Sequence, residues 1–202
     1  GIIPLRDQIR SMSGVPGDKS PGRRLLGALD QGTSSTRFVV FDVSGRVVSL
    51  AQKEHRQFHP HPGWVEHDLE EVWSCCAWCV AEALKAVPAE DEIAALGVTN
   101  QRETLCVFRR DGTPLRRSIS WNCSRTADVA ERKKRRSFWA ERRSERKTGL
   151  PTASYFTATK LKWLLENEPD LFDCGEDFDD DFGGDDDDDD VLFGTVDSYL
   201  LT

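Results

Sequence analysis

Apolar and polar positions change rhythm several times along the chain. Leu25-Leu26-Gly27-Ala28-Leu29 is a short apolar run suited to a buried strand. Asp30 to Thr36 is a polar turn, and Arg37-Phe38-Val39-Val40-Phe41-Asp42 is a second strand rich in β-branched and aromatic residues. Ser44-Gly45 predicts a tight turn, and Arg46 to Ala51 a third strand, so residues 25–51 read as an antiparallel meander. After a loop over 55–68, Asp68 with Glu71 forms a capping-box pattern. Leu69, Val72, Trp73, Cys76, Val80, Ala83 and Leu84 then recur at helical spacing until Pro88. Ile93 to Thr99 is the next strand. Thr104 to Phe108 and Pro114 to Ser120, joined at Asp111-Gly112, predict a hairpin. Arg125 to Arg146 has helical propensity with few apolar anchors. Thr159 to Glu166 is a short helix, Val191 to Gly194 a short strand, and Asp197 opens a last helix.

A meander, a helix, a parallel strand and further helices predict an α/β fold, a mixed sheet with helices on both faces. This order fits the ribonuclease-H-like unit of the sugar-kinase, hexokinase and actin group of ATPases, incomplete at the C-terminus. Residues 1–24 lack any apolar period and read as a disordered arm. Met12-Ser13-Gly14 reads as a natural start, with residues 1–11 belonging to something upstream. Residues 25–202 read as the folded domain, carrying an acidic insertion at 173–190.

Charge sharpens that division. The 202 residues carry a net −8, but residues 173–190 alone carry −12 and residues 125–147 carry +6, leaving −2 for the rest. The acidic tract is low-complexity, and dense like charge opposes compaction. Within the basic stretch, residues 131–147 read as the solvated face of a helix rather than a nucleic-acid patch or nuclear signal. No apolar run approaches the ~18 residues that span a bilayer, and no secretory signal is evident. Three of the six cysteines crowd residues 75–79, which reads as reduced and intracellular. The CxxC spacing of Cys76 and Cys79 lies inside the helical pattern and reads as small buried helix residues. His59, His61 and His67 read as loop histidines rather than metal ligands.

Two segments carry candidate chemistry. Asp30-Gln31-Gly32-Thr33-Ser34-Ser35-Thr36-Arg37 lies between two strands and gathers hydroxyls around one glycine, a turn able to cradle phosphate oxygens through backbone dipoles. Asp30 at the strand end suits Mg²⁺ held through water, and Arg37 suits the offset of negative charge. The same segment is also readable as a hydrophilic turn with no ligand. Arg102-Glu103, after Gly97-Val98-Thr99-Asn100-Gln101, pairs a donor with an acceptor as polyol hydroxyls require. A surface ion pair is the other reading.

ALDQGTSSTRFVVFD, PGWVEHD, GVTNQRET, ISWN, TGL, YFTATKLKWLL and FGTVDSYLL occur in this order from about Leu26 to Leu201. Together they resemble the glycerol kinases of the FGGY carbohydrate-kinase family. The resemblance implies ATP-dependent phosphorylation of glycerol to sn-glycerol 3-phosphate by a cytoplasmic enzyme, with ATP and Mg²⁺ required. It implies nucleotide-phosphate contacts at Gly32, Thr33, Ser34, Ser35 and Arg37, and a Mg²⁺-associated position at Asp30. It implies glycerol contacts at Arg102, Glu103, Trp121 and Tyr155. Glycerol and ATP are then the partners, nucleic acid is not, and a full-length form is compatible with a homo-oligomer. The chain departs from the family at Ala153-Ser154, Thr157-Ala158 and Asn122-Cys123-Ser124-Arg125, which bears on pocket geometry. The family's catalytic base, an Asp in an Asp-Gln pair, and its second domain have no counterpart within these residues. The 202 residues alone are therefore expected to be inactive. Another FGGY polyol or sugar kinase, or a non-enzymatic truncated paralogue, are the alternative readings.

Overall fold

The structure is a computed structural model and describes residues 22–136, 138–172 and 191–202. The expected arm up to residue 21 and the acidic tract 173–190 lie outside the described residues. The chain divides into two units: residues 22–57, 68–101 and 196–202, and residues 58–67 and 102–195.

The first unit is built on a four-stranded sheet, in which β1 (Arg24–Gln31), β2 (Ser35–Asp42), β3 (Val47–Glu54) and β5 (Glu92–Asn100) take the order β3-β2-β1-β5. β1 is antiparallel to β2 and parallel to β5. The chain crosses between these parallel neighbours through helix α1 (Leu69–Leu84). Strand alternation explains the packing. Leu25 and Leu29 of β1 and Phe38 and Val40 of β2 are fully buried. Gly27 lies among them because the Phe38 ring occupies its side-chain space; a Cβ there would meet Phe38 Cζ at 2.7 Å. α1 packs against β2 and β3 and buries Leu69, Val72, Cys75, Cys76, Cys79, Val80 and Ala83. On the other face, Leu26 and Leu50 remain 41 % and 53 % exposed. A short helix α5 (Val196–Leu201) lies beside β5, and Asn100 Nδ2 donates to Asp197 Oδ1 at 2.8 Å.

One boundary and one cap differ from the sequence expectation. β1 begins at Arg24, one residue early, because Arg23 is anchored by its backbone N–H and guanidinium to Asp91. Asp68 does cap α1, accepting from Glu71 N at 3.1 Å. The reciprocal half of the box is not made: the Glu71 carboxylate accepts from Arg56 instead.

The second unit contains β4 (Glu66–His67), β6 (Cys106–Arg109), β7 (Ser118–Ile119) and β8 (Val191–Gly194), with helices α2 (Ala127–Arg136), α3 (Phe138–Thr148) and α4 (Thr157–Asn167). The predicted hairpin over 104–120 is present but irregular. Its arms meet through the bridges Leu105↔Ile119 and Phe108↔Pro114, while β6 pairs along its length with β8 and β7 pairs with β4. The basic stretch is helical over Ala127–Arg136 and Phe138–Thr148, on either side of residue 137, which lies outside the described residues, and is preceded by a 3-10 turn at Ser124–Thr126. Val65, Leu105, Val107, Ile119, Cys123 and Leu164 form the buried core.

The polar interior of this unit is unusual. The Arg125 guanidinium is fully buried, lies 3.9 Å over the Trp64 ring, and donates to Glu66 Oε1 at 2.7 Å. Arg116 donates to the same Glu66 oxygen at 3.0 Å and to Glu168 at 2.7 Å. Arg125 therefore does not belong to the solvated basic face that begins a few residues later. Gly63 has φ +75°, and a Cβ there would lie 2.2 Å from Ser124 Oγ. Its carbonyl accepts from both N and Oγ of Ser124. The sequence Gly63-Trp64-Val65-Glu66 thus supplies a close backbone approach, a ring over a cation, an apolar core residue and the cation's acceptor.

Candidate functional site

In the first unit the candidate phosphate turn joins β1 to β2. Asp30 and Arg37 face each other across the strand pair, and Arg37 Nη2 donates to Asp30 Oδ2 at 2.9 Å. Both are nearly half exposed. Gly32 N donates to Ser35 O at 2.9 Å, closing the turn, and Ser34 at its tip is exposed. Gln52 Nε2 donates to Ser35 Oγ at 2.9 Å. An exposed hydroxyl at Ser34, half-buried ones at Thr33 and Ser35, one guanidinium and one carboxylate therefore gather at a turn closed on itself.

A buried polar group supports this turn from within, and sequence reasoning missed it. Gln101 N donates to Gln31 O at 2.7 Å. The Gly32 carbonyl accepts from Gln31 Nε2 at 2.8 Å and from Gln101 Nε2 at 3.3 Å, with His55 Nε2 at 3.2 Å. All three side chains are buried, so the strand end is held by satisfied polar contacts rather than left to solvent. Only the adjacency of Gln31 to the turn and of Gln101 to Arg102 hinted at this.

α1 places Cys75, Cys76 and Cys79 beneath the same strands. Cys76 Sγ contacts Thr36 Oγ1 and Cys79 Sγ contacts Thr36 O. Burial pushes the Cys76 thiol up to about 12 and Cys79 up to about 11, the opposite of the lowering that reactive or metal-binding thiols need. Of the histidines expected in loops, His59 Nδ1 lies 3.1 Å from Trp64 O, whereas His67 is on strand β4, buried, with Nε2 3.3 Å from Ser120 Oγ. Among the described residues no group of three or more His, Cys, Asp or Glu could hold a metal ion.

In the second unit three separated segments are stitched together. Trp121 N donates to Thr104 Oγ1 at 3.1 Å. The Trp121 and Tyr155 rings meet edge to face at 5.8 Å, and Tyr155 meets Phe156 at 5.1 Å. Glu103 Oε2 accepts from N and Oγ1 of Thr157, each at 2.8 Å. Arg102 is exposed. The four predicted polyol residues thus come from three segments linked to one another through the neighbours of Glu103 and Tyr155.

Glu103 has φ +66°, the left-handed region that costs a side-chain-bearing residue free energy. Its contacts with Thr157 hold it there. They also satisfy the first turn of α4, whose N-cap Phe156 offers no side-chain acceptor.

Lys160, on that same turn, is fully buried. Its Nζ donates to Ser154 O at 3.1 Å and to Tyr155 O. Burial lowers its ammonium from the ordinary lysine value to about 8, with the Glu103 and Cys123 charges acting in the other direction. The sequence pattern placed no lysine inside. A titration consequence follows. The unfolded chain holds this proton up to about 10.5 and the folded chain only to about 8. Between those values the unfolded state binds more protons, so the Lys160 contribution makes stability rise with pH. The difference in denaturant midpoint between wild type and Lys160→Met should rise from pH 7.5 to 10, because the buried thiols of Cys76 and Cys79 act alike in both. An unchanged pH slope in that variant would contradict the assignment.

Among the described residues, no helix is long and apolar enough to cross a membrane. Residues 25–201 match the family model described as the FGGY family of carbohydrate kinases, N-terminal domain. The chain is 45 % identical over 176 residues to a glycerol kinase of Burkholderia cenocepacia, covering 86 % of this chain and 33 % of that protein. It is 44 % identical over 179 residues to a glycerol kinase of Thermococcus gammatolerans, covering 88 % and 34 %. A crystal structure of Plasmodium falciparum glycerol kinase with ADP superposes with a TM-score of 0.75 at 25 % identity, over 91 % of this chain and 34 % of that one. The chain spans about a third of the length of the curated relatives it matches.

Proposed function

We propose, from the premise that this chain belongs to the FGGY family of carbohydrate kinases, that it is the polyol-binding N-terminal part of an enzyme that phosphorylates glycerol to sn-glycerol 3-phosphate with ATP. The observation that carries this reading is the Glu103 carboxylate, held in left-handed backbone by two bonds from Thr157 beside the Trp121–Tyr155 ring pair. A strained, over-determined acceptor next to an aromatic wall is what a small polyol needs: hydrogen-bond partners for its hydroxyls and an apolar surface for its carbons. Glu103 Oε2 is engaged by Thr157, so Oε1 is the oxygen assigned to accept a glycerol hydroxyl. Arg102 donates to a hydroxyl, Tyr155 offers its phenol, and Trp121 packs on the carbons.

Thr33, Ser34 and Arg37, with the turn around Gly32 and Ser35, are assigned to nucleotide phosphate. The donor set suits it, because hydroxyls and a guanidinium match phosphate oxygens. The one carboxylate at the turn, Asp30, suits Mg²⁺, which keeps most of its water and takes few protein ligands. When bound, Mg²⁺ supplies neutralisation of the phosphate charge. Arg37, paired with Asp30 in this structure, is the group that would balance the carboxylate before nucleotide arrives. The residues here bind and orient; none is assigned as the base. A cytoplasmic setting, where ATP and reduced thiols coexist, belongs to the same proposal.

Arg102→Ala is expected to weaken glycerol binding by about 1.5–3 kcal/mol, the worth of a charge-assisted hydrogen bond, or roughly ten- to a hundredfold in Kd. Ligand-observed NMR of glycerol with the folded chain measures it. Unchanged affinity would remove Arg102 from the site, and no saturable glycerol binding by the wild-type chain would sink the reading.

A further inference from the structure

The side chains assigned to the polyol do not explain why the chain keeps a fully buried lysine at the start of α4. Lys160 is costly there. Its charge is desolvated, and it sits in the first turn of a helix, where the dipole favours anions over cations. Its partners are two consecutive backbone carbonyls, Ser154 and Tyr155, and the second belongs to the residue whose ring meets Trp121. Three positions earlier on the same turn, Thr157 holds Glu103 in left-handed backbone. One helical turn therefore grips the acceptor segment with one residue and the aromatic segment with another.

We propose that Lys160 is a positioning residue for polyol recognition: by holding the Ser154 and Tyr155 carbonyls it sets the backbone from which the Tyr155 ring projects, in register with the Glu103 that Thr157 holds. This rests on the polyol reading above. Lys160 touches no substrate in this scheme. Its effect is to fix the spacing between an acceptor and an aromatic wall that come from different parts of the chain. The ionisable groups that act on it are Glu103, from the segment after β5, and Cys123, from the segment before the 3-10 turn. Of these two, Cys123 is the one whose removal leaves the Glu103–Thr157 contacts in place, so Cys123→Ala is the control variant for a pH profile.

The experiment uses the 202-residue chain with glycerol as the probe. Two-dimensional NMR reads the nuclear Overhauser contact between the Tyr155 and Trp121 rings, and ligand-observed titration reads the glycerol Kd, in wild type, Lys160→Met and Cys123→Ala. In Lys160→Met that retains wild-type circular dichroism, the ring contact should be lost or strongly weakened and the Kd should rise at least tenfold. Retention of both would overturn the proposal. Should Lys160→Met fail to fold, the wild-type chain supplies the test. An ammonium donates more strongly than an amine, so the ring contact and the affinity should both weaken as pH rises from 7 to 9.5, and Cys123→Ala should keep that profile. A flat profile, or one abolished by Cys123→Ala, would overturn it. If wild type binds no glycerol at any pH, the polyol reading fails, while the ring contact still decides whether Lys160 positions Tyr155.

Discussion

Replacing Glu66 by alanine is expected to cost about 3–5 kcal/mol of stability, the penalty for breaking a buried ion pair from one side. Glu66 Oε1 accepts from both Arg125 and Arg116, and neither guanidinium has much access to water: their side chains are 0 % and 12 % exposed. Removing the carboxylate leaves Arg125 with Cys123 Sγ and the faces of Trp64 and Trp163, which stabilise a cation but do not replace an anion. A domain of this size is stable by only ~5–15 kcal/mol, so a large share is at stake. Urea denaturation of Glu66→Ala beside wild type measures it. A second comparison separates charge from packing. Breaking the exposed Arg132–Glu166 pair with Glu166→Ala should leave the midpoint nearly unchanged, because solvent already screens it. A shift below about 1 kcal/mol for Glu66→Ala would mean that water reaches the two guanidinium groups.

The second large effect is on turnover. A polypeptide of these 202 residues and no more is expected to show no glycerol-dependent release of ADP. Phosphoryl transfer is mostly positioning, and holding the reactants in line is worth ~7–11 kcal/mol of barrier. The residues assigned here hold the acceptor and some of the phosphate oxygens. None is placed as a base for the glycerol hydroxyl, and lacking one costs a further ~10²–10⁴-fold. A coupled assay with saturating glycerol and Mg-ATP, run beside Asp30→Ala, reads the outcome. Turnover clearly above that control would mean that a base exists among these residues.

Local pattern made the first unit legible. Alternation over Leu25–Leu29 and Phe38–Val40 carries the burial of the strands, and Asp68 marks where α1 begins. The crossover from β1 to β5 follows from a helix between two apolar runs. In the second unit the decisive contacts join residues far apart in sequence, and local pattern carries no trace of them. β6 finds β8 more than eighty positions later. Arg125 precedes a basic stretch and Lys160 stands two positions from Lys162, so both look like surface positions. Arg125 is buried because distant partners await it, Glu66 and the Trp64 ring, and Lys160 because it turns back onto the carbonyls of the preceding loop. The left-handed backbone of Glu103 is likewise invisible in composition, since nothing about a glutamate announces φ +66°. Of the candidate site, motif order named the residues proposed for it. The helix turn that holds them, through Thr157 and Lys160, had to be seen in three dimensions.

The three thiols under α1 offer a clock for the motion of that helix. Cys76 and Cys79 face the strands, and their ionisation is driven far above neutral pH. Alkylating reagents need a thiolate they can reach, so these side chains are silent while α1 stays seated. Labelling of Cys76 or Cys79 at pH 8, located by peptide mass, then counts excursions in which the helix lifts from the sheet, and its rate against reagent concentration reports how often that happens. Because Thr36, which both thiols touch, is the residue just before Arg37, slower labelling with Mg-ADP present would show nucleotide at the β1–β2 turn quieting the helix beneath it.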